Sequence, residues 1–173
     1  MVSKRPSVAP AARVLHEERG CLIGTFENVV VAVWMTQATG PLAEKLGEVA
    51  GVFAAEHPEG FSNVHVISRT PPIPTGEARA QFIAMMRRYS DQVACIGTVL
   101  EGTGFWASAV RSFIVGIRLV VPRTFEMQTY ASIEELSAWL PAPHAARTGV
   151  TLDRSALALA LTDFRDRVGN AMK

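Results

Sequence analysis

The strongest constraint on this chain is a repeated change of hydrophobic period after residue 28. Val29–Met35 (VVVAVWM) is apolar without a break, as a strand covered on both faces must be. The next segment, TGPLAEKLGEVAGVFAAEHPEG, instead places Leu42, Leu46, Val49 and Phe53 on one helical face. Thr39 can cap it, Pro41 suits its first turn, and Pro58-Glu59-Gly60 stops it. The same switch then recurs. SNVHVISR reads as a strand with Val64, Val66 and Ser68 on one face and His65 and Ile67 on the other. Thr75–Ser90 reads as a helix packed through Ala78, Phe82, Met85, Met86 and Tyr89. VACIGTVL is the next strand, residues 104–121 the next helix, and FEMQTYA the last strand. SIEELSAWL is a helix opened by the capping box Ser132-x-x-Glu135. Alternation of this kind predicts a mainly parallel sheet joined by right-handed crossovers.

Ahead of this series, CLIGTF and VVVAVWM flank the polar pair Glu27-Asn28, which predicts an antiparallel hairpin. RVLHEERG reads as an extended lead-in. The expectation is an α/β fold: a single mainly parallel sheet of about five strands with an N-terminal antiparallel hairpin, four helices, and an extra C-terminal helix. Residues 1–12, rich in Pro, Ala and Ser, are expected to be a flexible leader and 13–140 the α/β domain. Residues 141–152, beginning PAPHAARTG, read as a linker by composition. Residues 153–173 form the last helix, whose stripe of Leu157, Leu161, Phe164 and Val168 must bury against the domain's own sheet or a partner subunit.

The stretch VLEGTGFWASAVRSFIVGIRLVV (Val99–Val121) raises three readings. As a membrane span it is barely long enough, and Arg111 and Arg118 inside it would cost several kcal/mol by insertion scales. As a phosphate cradle it has Gly102 and Gly104 at a helix start, but no third glycine, no P-loop Lys-Ser/Thr, and Glu101 beside it to repel an anion. As a packing helix it has a stripe of Trp106, Ala109, Val110, Phe113, Ile117 and Val120, widened by Ile114, Val115 and Val121. That is more apolar surface than one sheet face uses. Packing is the favoured reading. A small-molecule pocket at Glu101, Gly102, Thr103, Gly104, Phe105 and Trp106 is the alternative.

Composition narrows the function classes. Of 173 residues 49% are hydrophobic and 19% charged, enough for a sizeable core and against wholesale disorder. The formal net charge of +1 gives no general nucleic-acid or anionic-membrane surface. Cys21 and Cys95 sit in apolar strand runs as reduced core thiols, and no signal-peptide pattern is present, so a cytoplasmic location is expected. No metal-ligand spacing, Gly-x-Ser-x-Gly elbow or His-Glu-x-x-His motif occurs. His16, His57, His65 and His144 are scattered, and His65 reads as a satisfied core or rim histidine. No cofactor and no catalytic residue are expected.

The element order, together with FENVVVAVW, EGTGFWASAVRS and YASIEELSAWL, resembles the STAS domain, the fold of bacterial anti-sigma-factor antagonists, over roughly Cys21 to Leu140. The likeness is to STAS-like proteins of uncharacterised role. In the regulatory branch an Asp-Ser-Ser/Thr-Gly turn before the second helix holds a phosphorylatable serine. Here that stretch is ISRTPPIPTGEAR, with Thr70 and Thr75 the nearest hydroxyls and three prolines in place of the motif. The resemblance implies a non-enzymatic protein-interaction or regulatory module. The apolar helices add an expectation of self-association, with Arg111, Ile114, Arg118, Leu157, Leu161 and Phe164 at the interface. The second function reading is a carrier or sensor for a lipid-like or anionic small molecule at the Gly102–Trp106 turn.

Overall fold

The computed structural model describes residues 12–122 and 124–173. It contains one six-stranded mixed sheet in the order β1-β2-β3-β4-β5-β6. The strands are β1 (Arg13–Glu18), β2 (Cys21–Phe26), β3 (Val29–Trp34), β4 (Phe61–Ile67), β5 (Val93–Leu100) and β6 (Glu126–Tyr130). β1, β2 and β3 pair antiparallel, and β3 through β6 pair parallel. The helices described are α1 (Gly40–Glu56), α2 (Gly76–Arg88), α3 (Gly104–Arg118), α4 (Ile133–Trp139), α5 (Pro141–Thr148) and α6 (Arg154–Ala171).

Strand order explains the layers. The parallel strands follow one another across the sheet, so right-handed crossovers put α1, α2 and α3 on the same face. There they bury Ile23, Val30, Ala32, Trp34, Phe61 and Ile96. The opposite face carries Leu22, Val29, Val31, Val33, Val64, Val66, Cys95 and Val99. No crossover can reach that face, and the chain after β6 covers it. Leu136 and Leu140 pack there, as do Leu157, Leu161, Phe164 and Val168 of α6.

Three expectations are corrected. The lead-in is a paired strand, β1, with a register shift between Val14 and His16, so the sheet has six strands rather than about five. Its charged sequence is that of an edge strand with most side chains in solvent. The expected linker 141–152 is mostly helix: Pro141 and Pro143 occupy the first turn of α5, where a missing N–H costs nothing, and Gly149 at φ 72° ends it. α3 stops at Arg118, and Leu119–Val121 close it in a turn.

Candidate ligand site

A cavity of about 70 Å³ opens above the carboxyl ends of β3, β4 and β5, on the α1–α3 face. Its floor follows from strand alternation and register. His65 and Thr98 are cross-strand partners, and Trp34, Ile67, Ile96 and Met127 surround them. Phe82 and Met86 of α2 form one wall. Val110, Phe113, Ile114 and Ile117 of α3 form the roof, and Pro71, Pro72 and Pro74 the rim. In open α/β sheets, the carboxyl ends of parallel strands are where ligands bind.

The rim is pinned at several points. Trp106 Nε1 donates to the Pro71 carbonyl at 2.7 Å, Gln37 Nε2 donates to the Ile73 carbonyl at 2.7 Å, and the Thr75 amide donates to the Ala38 carbonyl at 3.2 Å. Prolines offer no N–H of their own, so carbonyls in this loop are met by side chains from elsewhere. Arg69 and Thr70 both hold left-handed backbone, with φ 62° and 48°. Two such non-glycine residues in succession store strain on the order of 1 kcal/mol or more each where the chain leaves β4. Thr75 is the helix cap of α2: its hydroxyl accepts from the Ala78 amide at 3.1 Å.

The polar groups of the cavity are few. Trp34 Nε1 donates to His65 Nδ1 at 3.2 Å, and the two rings lie within 14° of parallel with centroids 6.4 Å apart. Phe82 meets both rings edge-on, at 6.0 and 6.1 Å. Burial pushes His65 down to about 4, so its ring is neutral at pH 7. With Nδ1 accepting, the neutral ring carries its proton on Nε2. The cavity therefore offers an apolar wall, one imidazole N–H and the hydroxyls of Thr36 and Thr98. Its volume is about half that of an engineered cavity that takes benzene, roughly 150 Å³. A short chain or the end of one suits it, and a nucleotide does not.

The Gly102–Trp106 turn, the alternative position for a ligand, lines no part of this cavity, whereas Glu101 before it lines an open polar cleft with Ser68, Arg69, Arg165 and Lys173. Glu101 accepts from Ser68 Oγ at 2.7 Å and from Arg165 Nη1 at 2.8 Å, tying the end of β5 to α6. The Trp106 ring lies over Gly102, where a β-carbon would stand 2.5 Å from it. Thr103 holds the N-cap position of α3 without a side-chain bond, Gly104 takes φ 72°, and Phe105 points outward at 91% exposure. Trp106 alone touches the site, through the rim. The expected interface residues also separate. Leu157, Leu161 and Phe164 are buried on the chain's own sheet and leave no surface for a partner. Ile114 roofs the cavity, and Arg111 and Arg118 are exposed.

On the other sheet face the structure assembles a trio that sequence reading left scattered. Ser62 Oγ lies 2.8 Å from His144 Nδ1 and 3.2 Å from Cys95 Sγ. A serine against a histidine has the geometry of an activated nucleophile. All three residues are at 0% exposure, so no substrate reaches them. Burial holds His144 at about 4 and raises the Cys95 thiol to about 11. The trio works as a polar tie between α5 and the sheet, with His144 Nε2 left unpartnered. Among the described residues no group of three or more His, Cys, Asp or Glu could hold a metal ion, and no helix is long and apolar enough to cross a membrane. Compared with known proteins, the chain matches no family model and no curated protein.

Proposed function

We propose that this protein is a non-enzymatic STAS-like module that binds a small, mainly apolar molecule, as a carrier or sensor. The observation that carries the reading is the cavity between the strand ends and α3, with His65 in its lining and its Nε2 proton left to donate. An apolar pocket with a few convergent polar groups is the usual form of a small-molecule site. The ligand chemistry that fits is a short hydrocarbon end carrying an acceptor such as a carbonyl, ester or hydroxyl oxygen. Self-association as first expected loses half its basis, because α6 is spent on the chain's own core. The STAS-like likeness rests on the quoted segments and on the hairpin followed by alternating helices and parallel strands. The test is a native mass spectrum of protein purified from its host. A bound species of low mass that disappears in Ile114→Phe, which fills the roof of the cavity, supports the reading. A spectrum of bare protein, together with no thermal shift from short-chain alcohols or esters, contradicts it.

A further inference from the structure

We infer that the outer face of α3 docks on the surface of a bilayer containing anionic lipid. Net charge hides how the charges are arranged. The outward side of α3 carries Phe105 at 91% and Val115 at 53% exposure, with Ser108 and Ser112 between them, and Leu119 in the closing turn continues it at 72%. At about 100° per residue these five share one face, opposite Val110 and Ile117 in the core. Arg111 and Arg118 run along one flank of this ridge. Two arginines of α2 run along the other. The Arg79 guanidinium lies beside Gly116, within 3.3 Å of where a β-carbon would stand, and Arg87 donates twice to the Val120 carbonyl, at 3.2 and 2.8 Å. α3 has no acidic residue, and the one carboxylate of α2, Glu77, packs on Gly40 at the start of α1.

An apolar ridge with cations on both sides is the pattern of a helix lying in a lipid interface. The apolar tips enter the acyl boundary and the guanidinium groups reach the phosphates. An acidic protein would satisfy the arginines yet leave Phe105 and Leu119 needing a matched apolar pocket. A second copy would bring like charges together. A bilayer satisfies both at once. Docking here also sets the roof of the cavity against the membrane, although the charge pattern stands without the cavity reading.

The experiment is co-sedimentation of the full chain with phosphatidylcholine vesicles, with and without phosphatidylglycerol, at low and high salt. Binding is expected only to the anionic vesicles, falling as salt screens the arginines. Arg111→Gln and Arg118→Gln should each weaken it about five-fold. Phe105→Ser with Leu119→Ser should weaken it at least ten-fold while the thermal midpoint is kept, because both side chains are exposed. Ile114→Phe should leave vesicle binding intact, which separates this surface from the cavity. No binding at low salt would overturn the inference, as would binding unchanged in the serine double variant. A dimer by light scattering that the same double variant dissolves would overturn it in favour of a second copy.

Discussion

Acid should unfold this protein through two histidines, before its carboxylates matter. His65 and His144 sit on opposite faces of the sheet, and burial lowers each from 6.5 to about 4. A folded-state pKa below the unfolded one means that the unfolded chain takes up protons first as pH falls. The stability is fully present above about pH 6.5 and is lost as pH drops towards 4. At pH 5 each ring costs about 2 kcal/mol relative to pH 7.5. The two rings share no hydrogen-bond or ring partner, so their contributions add to about 4 kcal/mol. That is a large share of the roughly 5–15 kcal/mol that holds a domain together. Glu17, lowered by its hydrogen bonds to Arg167, and Glu59, lowered by its own backbone amide and by Asn28 and His57, lose their contributions only near and below the ordinary carboxylate range. A comparison at pH 5 therefore reads the histidines. Urea unfolding followed by circular dichroism should give a free energy lower by about 4 kcal/mol at pH 5 than at pH 7.5. His144→Gln, which cannot titrate, should show about half that difference. Free energies agreeing within about 1 kcal/mol at the two pH values would refute the assignment of both rings as neutral in the folded protein.

Two further outcomes follow from the packing. Truncation after Leu140 removes α5 and α6 and uncovers Val31, Val33 and Val66 on the sheet. The buried side chains Leu157, Leu161, Phe164 and Val168 represent about 6–12 kcal/mol of transfer free energy, so the fragment should show no cooperative melt; a fragment that melts cooperatively would show that the α6 cover is dispensable. Glu101→Gln removes the charge from a partly buried ion pair with Arg165, so it should cost about 1 kcal/mol in thermal denaturation and leave ligand affinity unchanged. Lost ligand binding in that variant would return Glu101 to the binding site.

Much of the architecture was legible because burial on both sheet faces writes a clear pattern. Val29–Trp34 is apolar throughout because alternate residues face α1–α3 and α6. β1 was not legible because edge strands are polar, and RVLHEERG carries no alternation that a loop lacks. α5 hides behind its composition: PAPHAARTG has the residues of a linker, yet the first turn of a helix accepts Pro141 and Pro143. The destination of α6 follows from topology rather than from its own sequence: crossovers of one hand leave a bare sheet face, and only a later segment can cover it. The site was the hardest to see. His65 was placed on the correct strand face, but its neighbour Thr98 is 33 residues away and is brought alongside by parallel register alone. Glycines at a helix start suggest a ligand at the Gly102–Trp106 turn, yet Gly102 makes room for the Trp106 ring and Gly104 supplies a left-handed φ of 72°.

A nuclear magnetic resonance titration with a short-chain alcohol such as butanol is the most direct test of the apolar ligand proposed for the space under α3. Saturable shifts are expected at His65, Thr98, Phe113 and Ile114, with the His65 Nε2 proton among them, and they should be lost in Ile114→Phe. Shifts confined to Gly102–Phe105, or linear drift without saturation, would contradict it.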